Sequence, residues 1–296
     1  MNFKIKYLSK TWSATYNFVK KIIANSSKNR ITVSAASLSF HGILALLPAI
    51  IGLVGLLHLI GLNTSQTGKL IHYVTLIVPS QAASIVTDSI KSREATTTST
   101  LELIFGLIVA LWSLTGAVAS LQVGLDLAYG IPHDRGFIKR RLSSLPLVFI
   151  SVIVLLVIFT DLIGGTFLIR GISGNSGILR FGLISLVLNI ARILISICLG
   201  LILLSVYYCF GSNQKANLKE FFRIKTVFSY GAISAIVAWG LSLFGFSFYL
   251  DHFSNTTRSY GLFGSVVVLL LWLYITSYFL FIGAEINVES ERIALK

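Results

Sequence analysis

Six apolar stretches occupy most of this chain, at positions 35–60, 101–125, 145–169, 181–210, 228–250 and 261–283. Each matches or exceeds the ~20 residues that an α-helix needs to cross ~30 Å of hydrocarbon. Lipid offers the backbone no hydrogen bonds. A crossing segment must therefore satisfy its own N–H and C=O groups, and a helix does so. The sequence predicts an all-α polytopic membrane protein. A basic arm with an interfacial helix covers 1–34, a six-helix transmembrane bundle covers 35–283, and a tail covers 284–296. Six crossings and their loops use up the 296 residues, leaving none for a soluble catalytic domain of ordinary size.

The net charge of +13 raises the question of nucleic acid, but its distribution answers in favour of membrane topology. With the N-terminus in the cytoplasm, the arm carries seven Lys/Arg, the second-to-third and fourth-to-fifth connections four each, and the tail two. The opposite side holds only Lys69, Lys91, Arg93, Arg170, Arg180 and Arg258. Arg192 falls inside a span. This follows the positive-inside rule and places both termini in the cytoplasm. Anionic lipid on that face is the expected partner of the basic loops, and no nucleic-acid partner is expected. The two cysteines, Cys198 and Cys209, lie ~16 Å apart on one helix, too far for a disulfide.

Within the arm, Trp12, Tyr16, Val19 and Ile23 recur on one face of a helix over 10–28. An aromatic-apolar stripe with basic flanks suits a helix lying on the membrane, or one packed on its own bundle. The outer loop 61–100 contains two short apolar runs split at Pro79, which predicts two short helices.

Small and polar residues mark where spans meet. The first span carries Ser34, Ser37, His41, Ala45, Pro48, Gly52 and Gly55 on one side. The second carries Gly106, Ser113, Gly116, Ala117, Ser120 and Gly124, and the fifth Gly231, Ala235, Ala238, Ser242 and Gly245. Small residues let helix backbones approach closely in lipid. The fourth stripe, Ser185, Asn189, Arg192 and Ser196, differs because it contains a charge. Asp161 of the third span stands at similar depth. A charge at bilayer depth costs at least ~2.5–3.5 kcal/mol and persists facing protein or water. An Asp161–Arg192 ion pair in the bundle interior is expected. It serves either to hold helix register or to line a polar pathway, unless Asp161 reaches outer water. His41 is expected to hydrogen-bond within the bundle or to relay protons. Asp126 is expected to partner Arg140 or Arg141. Glu285, ending the sixth span, needs a partner there or a helix that continues past it.

No nucleophile elbow, phosphate loop, HExxH or cysteine–histidine metal spacing is present in the sequence. No converging acid–base set can be assembled, so no catalytic residue, metal or cofactor is expected.

Tyr260-Gly261-Leu262-Phe263-Gly264, Leu270-Leu271-Trp272-Leu273-Tyr274 and Gly283-Ala284-Glu285-Ile286-Asn287 resemble the YihY/BrkB family of bacterial membrane proteins. Ala36-Ser37-Leu38-Ser39-Phe40, Leu46-Leu47-Pro48 and Val78-Pro79 agree, so the similarity spans essentially the whole chain. The resemblance implies a six-helix protein of the bacterial cytoplasmic membrane. The family has carried the labels ribonuclease BN and virulence factor, and it supplies no catalytic residues to transfer. The expected function is transport or translocation of a small solute, ion or lipid along a polar lane between the third and fourth spans. Pro48 and Gly52–Gly55 are expected to gate that lane. A non-catalytic envelope factor, acting through partners or as a homo-oligomer, is the alternative, and a tRNA-processing nuclease the third reading.

Topology is directly testable. In a Cys198→Ser, Cys209→Ser background, a cysteine replacing Ser65 is expected to react with an impermeant maleimide on intact cells. One replacing Gln214 is expected to react only after permeabilisation, and the reverse pattern would invert the topology.

Overall fold

The computed structural model describes residues 2–59, 100–131, 135–173, 178–213 and 228–294. All elements among them are helical: α1 (Asn2–Lys28), α2 (Ile31–Leu59), α3 (Thr100–Ala128), α4 (Phe137–Ser173), α5 (Ile178–Val206) and α6 (Tyr230–Ala294). Five helical segments are long and apolar enough to cross a membrane, at 108–128, 137–158, 186–211, 230–249 and 266–293. A shorter apolar segment, Ile31–Leu46, joins them. The short helices expected in the outer loop, with Pro79, lie outside the described residues.

Helix ends follow local chemistry. α3 stops in a Schellman motif: Gly130 takes φ +68°, Gly130 N donates to Leu127 O and Ile131 N to Asp126 O. Gly136, at φ +71°, turns the chain into α4. Ser229 caps α6, its Oγ accepting from Ala232 N at 3.2 Å. α5 widens at its end into a π-turn, Tyr207–Gly211. This change of register lets the consecutive Tyr207 and Tyr208 both turn inward, Tyr207 toward α4 and Tyr208 onto Leu280 O of α6 at 2.7 Å.

α6 carries helical hydrogen bonding across both the fifth and sixth stretches. Its ends nevertheless meet. Gly231 N donates to Asn287 Oδ1 at 2.7 Å, and Trp239 Nε1 donates to Thr276 Oγ1 at 3.1 Å. A straight helix would hold Gly231 and Asn287 about 84 Å apart. Two arms therefore run antiparallel, and the path reverses between Tyr249 and Val266. The arms touch where Gly231 crosses Gly283; a Cβ on Gly231 would strike the Gly283 carbonyl, and one on Gly283 would come within 2.6 Å of the Gly231 carbonyl. The segment expected as a tail at 284–296 is helical to Ala294, where Glu285, Asn287 and Glu289 are buried among polar partners.

The main core gathers Ile31 and Ala35 of α2, Leu121, Leu125 and Ala128 of α3, Leu201 and Tyr208, and Ala232, Phe281 and Ala284 of α6. The small-residue stripes of the first two spans meet in it. Ser37 and Ser120 hydroxyls lie 2.9 Å apart, and a Cβ on Gly124 would fall on the Phe281 ring and 3.0 Å from Ser34 Cβ. A smaller core joins Val118, Leu147, Val148 and Val206. On α4 and α5 the outward residues are large and apolar, among them Phe149, Ile153, Leu156, Leu186, Val187, Ile190 and Ile193. That much exposed apolar surface is stable only against acyl chains.

α1 has one face turned to the bundle and one turned outward. Ile22 and Ser26 face inward, while Tyr16, Val19 and Ile23 stay exposed. These three stripe residues therefore face away from the protein, and the side chain of Trp12 lies outside the described set.

The Gly231–Gly283 crossing admits no side chain. Gly283→Ala is expected to destabilise the fold in micelles by about 1–3 kcal/mol or more through overpacking. Gly240→Ala, where a Cβ meets open space, is expected to be neutral within experimental error. Detergent unfolding monitored by circular dichroism measures both.

Candidate functional site

α4 and α5 run antiparallel, and polar side chains mark the seam between them. Arg192 Nε lies 3.6 Å from Asp161 Oδ1, with side-chain exposures of 14% and 22%. Arg192 also donates to the Asp161 carbonyl and, at 3.3 Å, to Asn189 Oδ1, while Ser196 Oγ donates to Asp161 Oδ2 at 3.1 Å. The four residues form one hydrogen-bonded group. Among the described residues it stands in the α4–α5 seam, apart from the two apolar cores. The reason is that α5 turns Ile190, Ile193 and Leu194 outward and has few buried residues in this stretch.

Eleven residues further along α5 the seam is polar again, where Ser151 and Tyr207 hydroxyls meet at 2.5 Å. Between these two sites the seam positions are apolar, Val154 and Ile158 on α4 and Leu199 and Leu203 on α5. Beyond Ser151 the line continues into the basic end of the molecule. Ser143 and Ser144 Oγ donate to Gln122 Oε1 at 3.3 and 3.2 Å, and Arg140 Nη2 stands 3.5 Å from Asp126 Oδ2. Asp126 Oδ1 also accepts from Asn213 N at 2.7 Å, and Arg135 Nε reaches Asn213 Oδ1 at 3.0 Å. The Schellman cap of α3 places Asp126 in its last turn, facing the start of α4.

The Asp126–Arg140 pair is nearly dry, at 8% and 10% side-chain exposure. Its attraction is about 5 kcal/mol at an effective dielectric of ~20, and desolvation of two ions takes back a similar amount. The backbone N–H of Asn213 adds a hydrogen bond to the same carboxylate. This pair therefore orients elements more than it stabilises them.

A second polar cluster fixes α1. Asn29 Nδ2 donates to Glu285 Oε1 at 2.6 Å, and Lys21 Nζ meets Glu289 Oε1 at 2.9 Å. Glu285 is 1% exposed and Glu289 3% exposed, one turn apart on α6, and Arg292 adds a contact to Glu289 at 3.8 Å. Glu285 thus has both a partner and a continuing helix. Tyr129 joins the cluster through Asn287. Burial, and then the charge of Glu291, holds its hydroxyl well above the usual phenol range, so it stays protonated.

Of the other residues singled out in the sequence, His41 Nδ1 contacts its own helix at Ser37 O, 2.8 Å away, rather than a neighbouring helix. Pro48 lies within α2, and Trp272 O accepts from Thr276 Oγ1 on its own helix. The side chains of Ser185 and Tyr260 and the surroundings of Gly52, Gly55 and Gly261 lie outside the described set. Cys198 and Cys209 are free thiols. No group of three or more potential metal ligands occurs among the described residues. Sequence reasoning missed Ser144, Ser151 and Tyr207. Arg140, Ser144, Ser151 and Asp161 fall on one side of α4 at helical spacing, a signal masked by the apolar residues around it.

Among known families, a sequence model described as virulence factor BrkB matches residues 22–295. A protein of Bacillus subtilis (strain 168) named ribonuclease-like protein YfkH is 26% identical over 285 residues, covering 92% of this chain and 94% of its own. No solved structure matches.

Asp126→Ala leaves Arg140 buried without its carboxylate and is expected to cost about 3–5 kcal/mol. The double replacement Asp126→Leu, Arg140→Met is expected to recover most of that loss in the same unfolding measurement, because neither charge then remains.

Proposed function

This chain belongs to the virulence factor BrkB family of membrane proteins, and from that premise we propose that it translocates a small solute, ion or lipid through the bacterial cytoplasmic membrane. In this reading six spans cross the bilayer and both termini face the cytoplasm. α1 lies on that surface with its Tyr16–Val19–Ile23 stripe in lipid, and basic loops contact anionic headgroups. The chain is a carrier and not an enzyme. The ribonuclease label in the name of the B. subtilis relative is a property of that name, and no constellation of side chains here is assigned to it.

The observation that supports translocation is the order of chemistry along the α4–α5 seam. A charged group, Asp161–Arg192 with Asn189 and Ser196, stands at one depth, and Ser151–Tyr207 stands at another. Val154, Ile158, Leu199 and Leu203 separate them. Polar steps divided by an apolar barrier resemble a closed pathway, which opens when α4 and α5 part. A pair needed only to hold register would not require a second polar step on the same faces. The dense Gly231–Gly283 region favours an immobile scaffold for the moving pair, and it is also what an envelope factor without transport would show.

Proteoliposome assays separate these readings. The wild type is expected to accelerate either exchange of a fluorescent phospholipid between leaflets or dissipation of an ion gradient. Asp161→Asn and Arg192→Gln each strand a partner at bilayer depth, at a cost of about 2.5–3.5 kcal/mol, and are expected to change the rate by about tenfold or more. Equal rates in all three proteins, or none in any, would remove the translocation reading.

A further inference from the structure

Arg140 and Arg141 are adjacent, yet they reach opposite ways. Arg140 meets Asp126 near the end of α3. Arg141 Nη1 donates to Thr115 Oγ1 at 2.9 Å and to the Trp112 carbonyl, about 16–21 Å along α3 from Asp126. A long basic side chain near a membrane surface ordinarily extends outward to water. This one extends along the span instead.

Its guanidinium is held in place from several sides. Arg141 Cζ stands 4.5 Å from the Trp112 ring centroid and 5.5 Å from that of Phe137. Gly116 leaves the space it occupies, since a Cβ there would lie 3.1 Å from both terminal nitrogens. Both hydrogen bonds use Nη1. Nε and Nη2 have no protein acceptor among the described residues, and no described carboxylate pairs with Arg141. Trp112, Phe137, Ile138 and Leu142 around it are exposed. The result is a fixed, uncompensated cation with free planar N–H donors, set in an apolar and aromatic surface.

We propose that Arg141, with Trp112 and Phe137, seats the phosphate of an anionic phospholipid on the exposed surface where α3 meets α4. A phosphate oxygen pair matches the unused Nε–Nη2 edge of the guanidinium, and acyl chains match the flanking rings and aliphatic residues. The exposed apolar and aromatic side chains beside the guanidinium favour a lipid over a soluble anion as its occupant. The seat lies on a different pair of helices from the α4–α5 seam and does not depend on the translocation reading.

Quenching of tryptophan fluorescence by brominated phosphatidylglycerol and brominated phosphatidylcholine, with the full chain in mixed vesicles, tests the seat. The wild type is expected to prefer phosphatidylglycerol. Arg141→Gln is expected to lower that preference by about fivefold, the factor one basic residue contributes at an anionic surface. Arg141→Lys, which keeps charge but not the planar edge, is expected to fall between. An unchanged preference in Arg141→Gln overturns the proposal, as does its abolition in the wild type by millimolar inorganic phosphate, which would make the site one for free anions. Should Arg141→Gln fail to fold, Phe137→Leu at its exposed position is expected to weaken the preference, and an unaltered preference there overturns the seat equally.

Discussion

In hydrocarbon a polar group has no solvent to fall back on, and the described part of this molecule is arranged around that shortage. Gly231 N, an orphan donor in the first turn of α6, finds Asn287 Oδ1 at the far end of the same element, while the next donor is taken by Ser229. This exchange is possible because the two arms of α6 touch through glycines. Close backbone contact and polar satisfaction are thus one feature. Removing either would leave a buried donor or force the arms apart, and Tyr208, bonded to Leu280 O, would lose its seat as well.

Polarity is distributed unevenly along the bundle. At the basic end, Gln122, Asp126, Arg140, Ser144, Glu285, Asn287 and Glu289 are all buried. Ion pairs in such surroundings contribute little net stability, since desolvation offsets attraction. Their effect is geometric. They set the start of α4 against the end of α3 and tie α1 to the last turns of α6. With α1 held by Lys21 and Asn29, its apolar stripe is presented outward at a fixed orientation. The rest of the molecule grips more loosely, and α5 in particular buries little of its middle.

Two arginines within apolar helices show how the same residue type serves different ends. Arg192 is neutralised inside the chain by Asp161 and two hydrogen-bonding neighbours. Arg141 is held by a hydroxyl, a carbonyl and two rings, none of which cancels its charge. A neutralised pair can line a barrier; an uncompensated cation at the lipid boundary attracts an anion.

The medium, the helical class and the family motifs were legible in the residues themselves, because the length of apolar runs and the alternation of basic loops are one-dimensional properties. The Asp161–Arg192 and Asp126–Arg140 partnerships were also within reach, since an ionised group in lipid has few candidate partners and those lay at matching depth. Which way a side chain turns was not. That Arg141 runs along α3 while Arg140 turns back, that Tyr207 and Tyr208 both face inward across a π-turn, and that the tail after Gly283 stays helical under α1 all depend on neighbours far away in the chain. Periodicity assigns a residue to a face, but only packing decides what stands opposite, because the energy of a buried polar group is set by its partner and not by its own position in the sequence.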